Sequence, residues 1–277
     1  MQIRELKFNE EGSVKDAHAV LYFLDDSEKW PIHERGMVVV FPGGGYTFTS
    51  DREAEPVAMR FLAKGYHAAV LRYSCAPAVY PTAMLEAGKL VSWIRENAAE
   101  YHVDSQKIYV LGFSAGAHAA GSYCENWNGL VKERLGVDGE MLKPNGMILS
   151  YPVITGYEYA HQGSVGELFG KTYEEVSEEE KELFSLEKHV NEDVPPAFLW
   201  HTAEDESVPV MNSILMVEAL VKHHIPVEYH IFEKGPHGIS LADELTDRLQ
   251  GGSNIPDDQC WVDLALRFLE RRREDLV

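Results

Sequence analysis

Apolar residues gather in short runs separated by longer stretches with helical spacing. Runs such as Met37-Val38-Val39-Val40-Phe41 and Ala197-Phe198-Leu199-Trp200-His201-Thr202 are nearly continuous, the mark of strands buried on both faces. The pattern predicts strands over residues 3–8, 19–24, 37–41, 67–73, 107–111, 146–150, 197–202 and 227–232. Between them, residues 53–64, 82–101, 115–127, 209–223 and 257–273 carry apolar positions three and four apart, as in Met84, Ala87, Val91, Ile94 and Ala98. Such alternation implies a mostly parallel sheet flanked by helices. The first strands are expected to be antiparallel, because little chain separates them.

One stretch breaks the rhythm. Residues 156–193 stand between two strands and include Glu174-Glu175 and Glu178-Glu179-Glu180-Lys181-Glu182, which read first as a solvated acidic helix. A lid-like role is the alternative. Leu168, Phe169, Tyr173, Leu183 and Phe184 would then fold over a pocket mouth.

The chemistry is concentrated where predicted strands end. Gly112-Phe113-Ser114-Ala115-Gly116 follows an apolar run and precedes a helical stretch, so a serine sits at a sharp bend between small residues. A string of this form arises by chance in roughly one chain in ten, so its neighbours must carry the argument. A serine nucleophile needs a histidine to take its proton, an acid to hold that histidine, and N–H donors for the oxyanion. Pro42-Gly43-Gly44-Gly45-Tyr46 leaves a predicted strand with amides uncovered by side chains; Gly44, Gly45 and Ala115, next to the serine, are the expected donors. Glu204, Asp205 and Glu206 follow another strand as candidate acids, and His237 in Gly235-Pro236-His237-Gly238 follows the last. His118, one helical turn beyond Ser114, is expected to pack within its helix. The order serine, acid, histidine fits a strand–turn–helix hydrolase and differs from the unrelated protease folds.

These phrases together resemble the α/β-hydrolase superfamily, along nearly the whole chain. The Gly-rich loop is similar to the His-Gly-Gly-Gly loop of hormone-sensitive-lipase-like esterases, with Pro42 in place of the histidine. Tyr73-Ser74-Cys75-Ala76-Pro77 with Tyr80-Pro81 is similar to a segment of the same superfamily. Ser150-Tyr151-Pro152-Val153-Ile154-Thr155, and Trp200 to Asp205 followed by Val208-Pro209, resemble the acetyl-xylan-esterase-like, or xylanase-like, bacterial carbohydrate esterases. The resemblance implies an α/β-hydrolase fold with an eight-stranded sheet. In that family the aspartate before Val-Pro is the triad acid, which selects Asp205. It implies a serine esterase acting on short-chain acyl esters of carbohydrates, acetylated xylo-oligosaccharides among them, through Ser114, His237 and Asp205. Tyr46 and Tyr151, with Tyr157 and Trp200, are candidate faces for a sugar ring. The alternatives are a small serine peptidase of prolyl-oligopeptidase type and an inactive binding protein on the same fold.

Composition narrows the partners. The 277 residues suit one large α/β domain, 1–277, and the net charge of −20 disfavours nucleic acid and anionic membranes while suiting an uncharged ester. Three cysteines without Cys-x-x-Cys spacing suggest neither a disulfide framework nor a thiolate metal site; no P-loop, dinucleotide fingerprint or His-Glu-x-x-His string occurs, so no cofactor or metal is expected. The first residues lack the apolar core of a signal peptide, giving an expectation of a cytoplasmic protein. Whether it is a monomer or a homodimer is not written in the sequence.

Overall fold

In the computed structural model, which describes residues 1–274, eight strands form one sheet in the order β1-β2-β4-β3-β5-β6-β7-β8. They are β1 (Gln2–Lys7), β2 (His18–Phe23), β3 (Arg35–Phe41), β4 (His67–Arg72), β5 (Val103–Phe113), β6 (Gly146–Ser150), β7 (Ala197–Thr202) and β8 (Val227–Phe232). β2 runs antiparallel to β1 and to β4, and every pairing from β4 through β3 to β8 is parallel. The strands fall where the apolar runs placed them, and the antiparallel start is the one expected from the short early connections.

Side-chain alternation builds two cores. In β3, Met37, Val39 and Phe41 face one layer while Val38 and Val40 face the other, and both sets are shielded from water. The first layer is completed by the helices Thr82–Glu96, Ala115–Asn126 and Met211–Lys222, the second by Glu55–Leu62 and Trp261–Glu274. No helix among the described residues is long and apolar enough to cross a membrane. The three cysteines are unpaired.

Three helices differ from their predicted spans for local reasons. The stretch 82–101 breaks at Asn97, whose side-chain amide donates to Trp93 O at 2.7 Å and whose backbone leaves the helical region; a short turn, Ala98–Tyr101, follows. The last helix starts only at Trp261, after a 3-10 turn at Pro256–Asp258. The first starts at Glu55, because Asp51–Glu53 forms a separate 3-10 turn that directs Glu53 inward.

The stretch 156–193 folds into the helices Gln162–Phe169 and Glu178–Phe184 joined by 3-10 turns. Its acidic run has a structural cause. Ser177 and Glu180 form a capping box, and the glutamates occupy the first turn, where the helix dipole favours them. Leu168 and Phe184 point into the core, with Phe184 stacked on His118 at a ring separation of 3.9 Å. The residues of this stretch that reach the cleft described below are instead His161, Gly163 and Glu167.

Candidate active site

β5 delivers Ser114 at its carboxyl end, where parallel α/β sheets place their sites. Ser114 takes φ 52° and ψ −120°, a region costing roughly 1–3 kcal/mol for a residue with a side chain. The flanking glycines make the bend feasible: a Cβ at Gly112 would lie 2.4 Å from Ala117 Cα, and one at Gly116 2.2 Å from Phe41 O. Ser114 N–H is anchored to Ser150 O at 3.0 Å, and its carbonyl accepts from Val153 N–H at 3.2 Å. β6 and the loop that leaves it thus hold the turn from both sides.

Loops after β7 and β8 bring two further side chains to that hydroxyl. Ser114 Oγ lies 2.8 Å from His237 Nε2, and His237 Nδ1 lies 2.6 Å from Asp205 Oδ2. A carboxylate at Nδ1 puts the ring proton there, so Nε2 is free to accept from the serine hydroxyl. Asp205 is itself tightly held. Its Oδ1 accepts from Ser207 N–H at 3.0 Å and Val208 N–H at 2.9 Å, and Oδ2 lies 3.2 Å from His201 Nε2. Burial pushes this carboxyl up, but hydrogen bonds from His201 and His237 and the Val208 amide outweigh it and hold it well below the usual carboxylate range. Glu204 and Glu206 are exposed, and Glu204 accepts from Gly235 N–H at 3.3 Å; among the described residues, Asp205 is the one of the three acids hydrogen-bonded to His237.

The glycine loop after β3 faces this chain of groups. Gly44 has φ 134° and Gly45 φ 65°, and a Cβ at Gly44 would meet Phe48 O at 2.0 Å, so no other residue fits there. The N–H groups of Gly44, Gly45 and Ala115 have no protein acceptor among the described residues. Ala115 opens its helix, where an amide has no intrahelical partner, and the dipole adds positive potential.

Tyr46 and Tyr151 occupy positions other than the expected sugar-facing ones. Tyr46 is 3% and Tyr151 1% exposed, and neither lines the cleft; Trp200 is also buried, stacked on Trp261. A buried ring cannot offer a face to a sugar. Tyr46 donates to His118 Nδ1 at 2.6 Å, and His118 Nε2–H donates to Phe184 O at 2.8 Å. Burial pushes His118 down to about 4, keeping it neutral and packed within its helix as the sequence suggested. Tyr151 accepts from Ser240 N–H at 2.9 Å and donates to Glu53 Oε1 at 2.6 Å. Tyr157 is tied to Glu182 at 3.0 Å and lies under Lys188.

Glu53 is the structural residue that sequence reasoning missed. Buried, with Oε2 accepting from Gly43 N–H at 2.9 Å and Oε1 held by Tyr151, it braces the glycine loop against the histidine loop. Arg52 reinforces the clamp, donating to Thr246 O at 2.8 Å and Gly238 O at 3.0 Å, while Arg248 donates to His237 O. The cleft itself has a volume of about 380 Å³; Phe48, 60% exposed, lines one side and His161 another. These residues follow no motif, and their only sequence signal was proximity to the glycine loop or to the inserted stretch.

The family model described as BD-FAE matches residues 28–220, more than half of the chain. The chain belongs to the BD-FAE family. Over 79% of its length it is 37% identical to endo-1,4-beta-xylanase B of Butyrivibrio fibrisolvens, covering 35% of that protein; it thus spans about a third of the length of that relative. Among solved structures, this BD-FAE member is similar to an acetyl ester-xyloside bifunctional hydrolase from Caldicellulosiruptor lactoaceticus, 34% identical, TM-score 0.79, over 92% of this chain and 88% of that one. A carboxylesterase from Lactobacillus plantarum superposes with TM-score 0.85 at 30% identity over 98% of each chain. The fold of this BD-FAE member is the α/β-hydrolase fold, as the resemblance implied.

Proposed function

We propose that the protein is a serine esterase that removes short acyl groups, acetyl foremost, from carbohydrates such as acetylated xylo-oligosaccharides. The observation that carries this reading is the continuous hydrogen-bonded chain from Ser114 through His237 to Asp205, opposite three amides with no protein acceptor. In the proposed reaction Ser114 Oγ attacks the ester carbonyl carbon while its proton passes to His237 Nε2. Asp205 stabilises the resulting imidazolium, and the oxyanion is received by the Gly44, Gly45 and Ala115 amides. Collapse breaks the bond to the alcohol oxygen, which takes the proton from Nε2. Water then repeats the sequence on the acyl-serine, releasing the acid and restoring the hydroxyl.

Two further observations support the carbohydrate ester. The cleft combines the exposed Phe48 ring with polar side chains, Thr47, His161 and Glu167, a mixture that suits a hydroxylated ring. A solved structure that this chain matches over most of both lengths is named an acetyl ester-xyloside bifunctional hydrolase. The test is direct: Ser114→Ala should abolish cleavage of nitrophenyl acetate while the circular dichroism spectrum and melting temperature are retained. Wild type should prefer acetyl over octanoyl esters and cleave acetylated xylosides rather than dipeptidyl anilides. Activity retained in Ser114→Ala removes the serine from the scheme, and cleavage of the anilides alone replaces the esterase reading with the peptidase one.

A further inference from the structure

His161 stands at the start of the inserted helix Gln162–Phe169 and lines the cleft that holds Ser114 and His237. As N-cap it uses a ring nitrogen where a capping Ser or Asp would use an oxygen. Its Nδ1 lies 3.2 Å from Ser164 N, whose N–H it accepts, and 2.8 Å from the Ser164 hydroxyl. A ring nitrogen that accepts a backbone N–H carries no proton of its own, so the single proton of the neutral ring is on Nε2. Nε2 has no protein partner among the described residues. Burial, and next the nearby His237, push the ring's protonation down, which keeps it a neutral donor.

The placement decides what that donor meets. His161 Cε1 would be 3.9 Å from a Cβ on Gly45, so the ring borders the glycine loop, and it interacts electrostatically with His237. His237 is the group that returns its proton to the departing alcohol oxygen, so a neighbour across the cleft faces the alcohol half of the ester. Resting on the esterase reading above, we propose that His161 is a specificity-determining residue: its fixed Nε2–H donates to a hydroxyl of the alcohol, selecting esters of polyhydroxylated alcohols over plain ones. Ser164, fully buried, sets the tautomer and so acts through His161.

Asparagine and glutamine separate the two jobs of the ring, because the asparagine amide overlays Nδ1 and the glutamine amide reaches Nε2. The readout is the ratio of kcat/KM for glycerol monoacetate to that for propyl acetate, which differ in two hydroxyls. Wild type should favour the glycerol ester. His161→Asn should lose about five- to tenfold of that preference, the range of one hydrogen bond, while keeping its cap and its melting temperature. His161→Gln should keep the preference and melt lower. A preference unchanged in His161→Asn, or lost equally in His161→Gln, overturns the proposal. If wild type cleaves both esters without preference, His161 has no such role although the esterase reading stands. If it cleaves neither, that reading fails first and the proposal falls with it.

Discussion

Asp205 illustrates how much one side chain owes to its surroundings. Its two oxygens have four partners, so the carboxylate is ionised and immobile before His237 is charged. Asp205→Asn would present an N–H to His237 Nδ1 and impose the wrong tautomer; kcat is expected to fall about 10³- to 10⁴-fold, the scale seen when a serine protease triad loses its aspartate this way. Glu204→Gln and Glu206→Gln should stay within about twofold, and equal losses in all three would mean the acid is misassigned. The same depression gives a stability term of known sign. It is present above the ordinary carboxylate value of 3.8 and is lost as pH falls through the lower folded value, so Asp205 does not account for any stability change near neutral pH. Glu53 acts at one remove, as a positioning residue. Glu53→Gln must turn its amide toward either Gly43 N–H or Tyr151 O–H, two donors facing one; kcat on nitrophenyl acetate should fall about ten- to hundredfold with KM little changed. A normal kcat would show that the glycine loop holds itself.

At the scale of elements, the inserted stretch is a packed part of the molecule, joined to the serine helix through buried contacts. Phe184 stacks on His118, and Glu187 comes against Glu125, whose Oε1 is buried without a hydrogen-bond partner among the described residues, as is Glu187 Oε2. Burial pushes both carboxyls up, and the charge of Glu187 pushes Glu125 further. A folded value above the unfolded one means that the pair supports folding fully below the ordinary carboxylate range, and that this support is lost as pH rises through the folded values. Wild type should therefore lose melting temperature as pH rises above the ordinary carboxylate range. Glu125→Gln, which stays neutral, should narrow that loss. An unchanged pH profile in the variant would place the pair's influence elsewhere. The elements also show what the sequence pattern conveys. Strand positions were legible because strands buried on both faces leave unbroken apolar runs, as in β3 and β7. The break at Asn97 and the 3-10 turn before Glu55 were not, because each depends on where one polar side chain finds its partner.

At the scale of the molecule, 123 residues separate Ser114 from His237 and 32 separate Asp205 from His237, and only the sheet order brings β3, β5, β7 and β8 to one rim. Ser114, Asp205 and His237 were legible because each follows an apolar run and carries a recognisable phrase. Tyr46 and Tyr151 were misread because an aromatic at a strand end has the same appearance in sequence whether it faces solvent or, as here, the interior. His161 and Phe48 left no pattern at all, since lining a cleft requires no periodicity. The net charge of −20 has a consequence for the whole body: screening of its self-repulsion should raise the melting temperature between about 10 and 150 mM sodium chloride, and a flat profile would indicate that the acidic groups are neutralised locally. The central claim, that Ser114 is made nucleophilic by His237, is most directly tested by labelling the intact protein with a fluorophosphonate and mapping the adduct by mass spectrometry. One adduct on Ser114, absent in His237→Ala, is expected; no adduct on the folded protein, or an adduct on another residue, would contradict it.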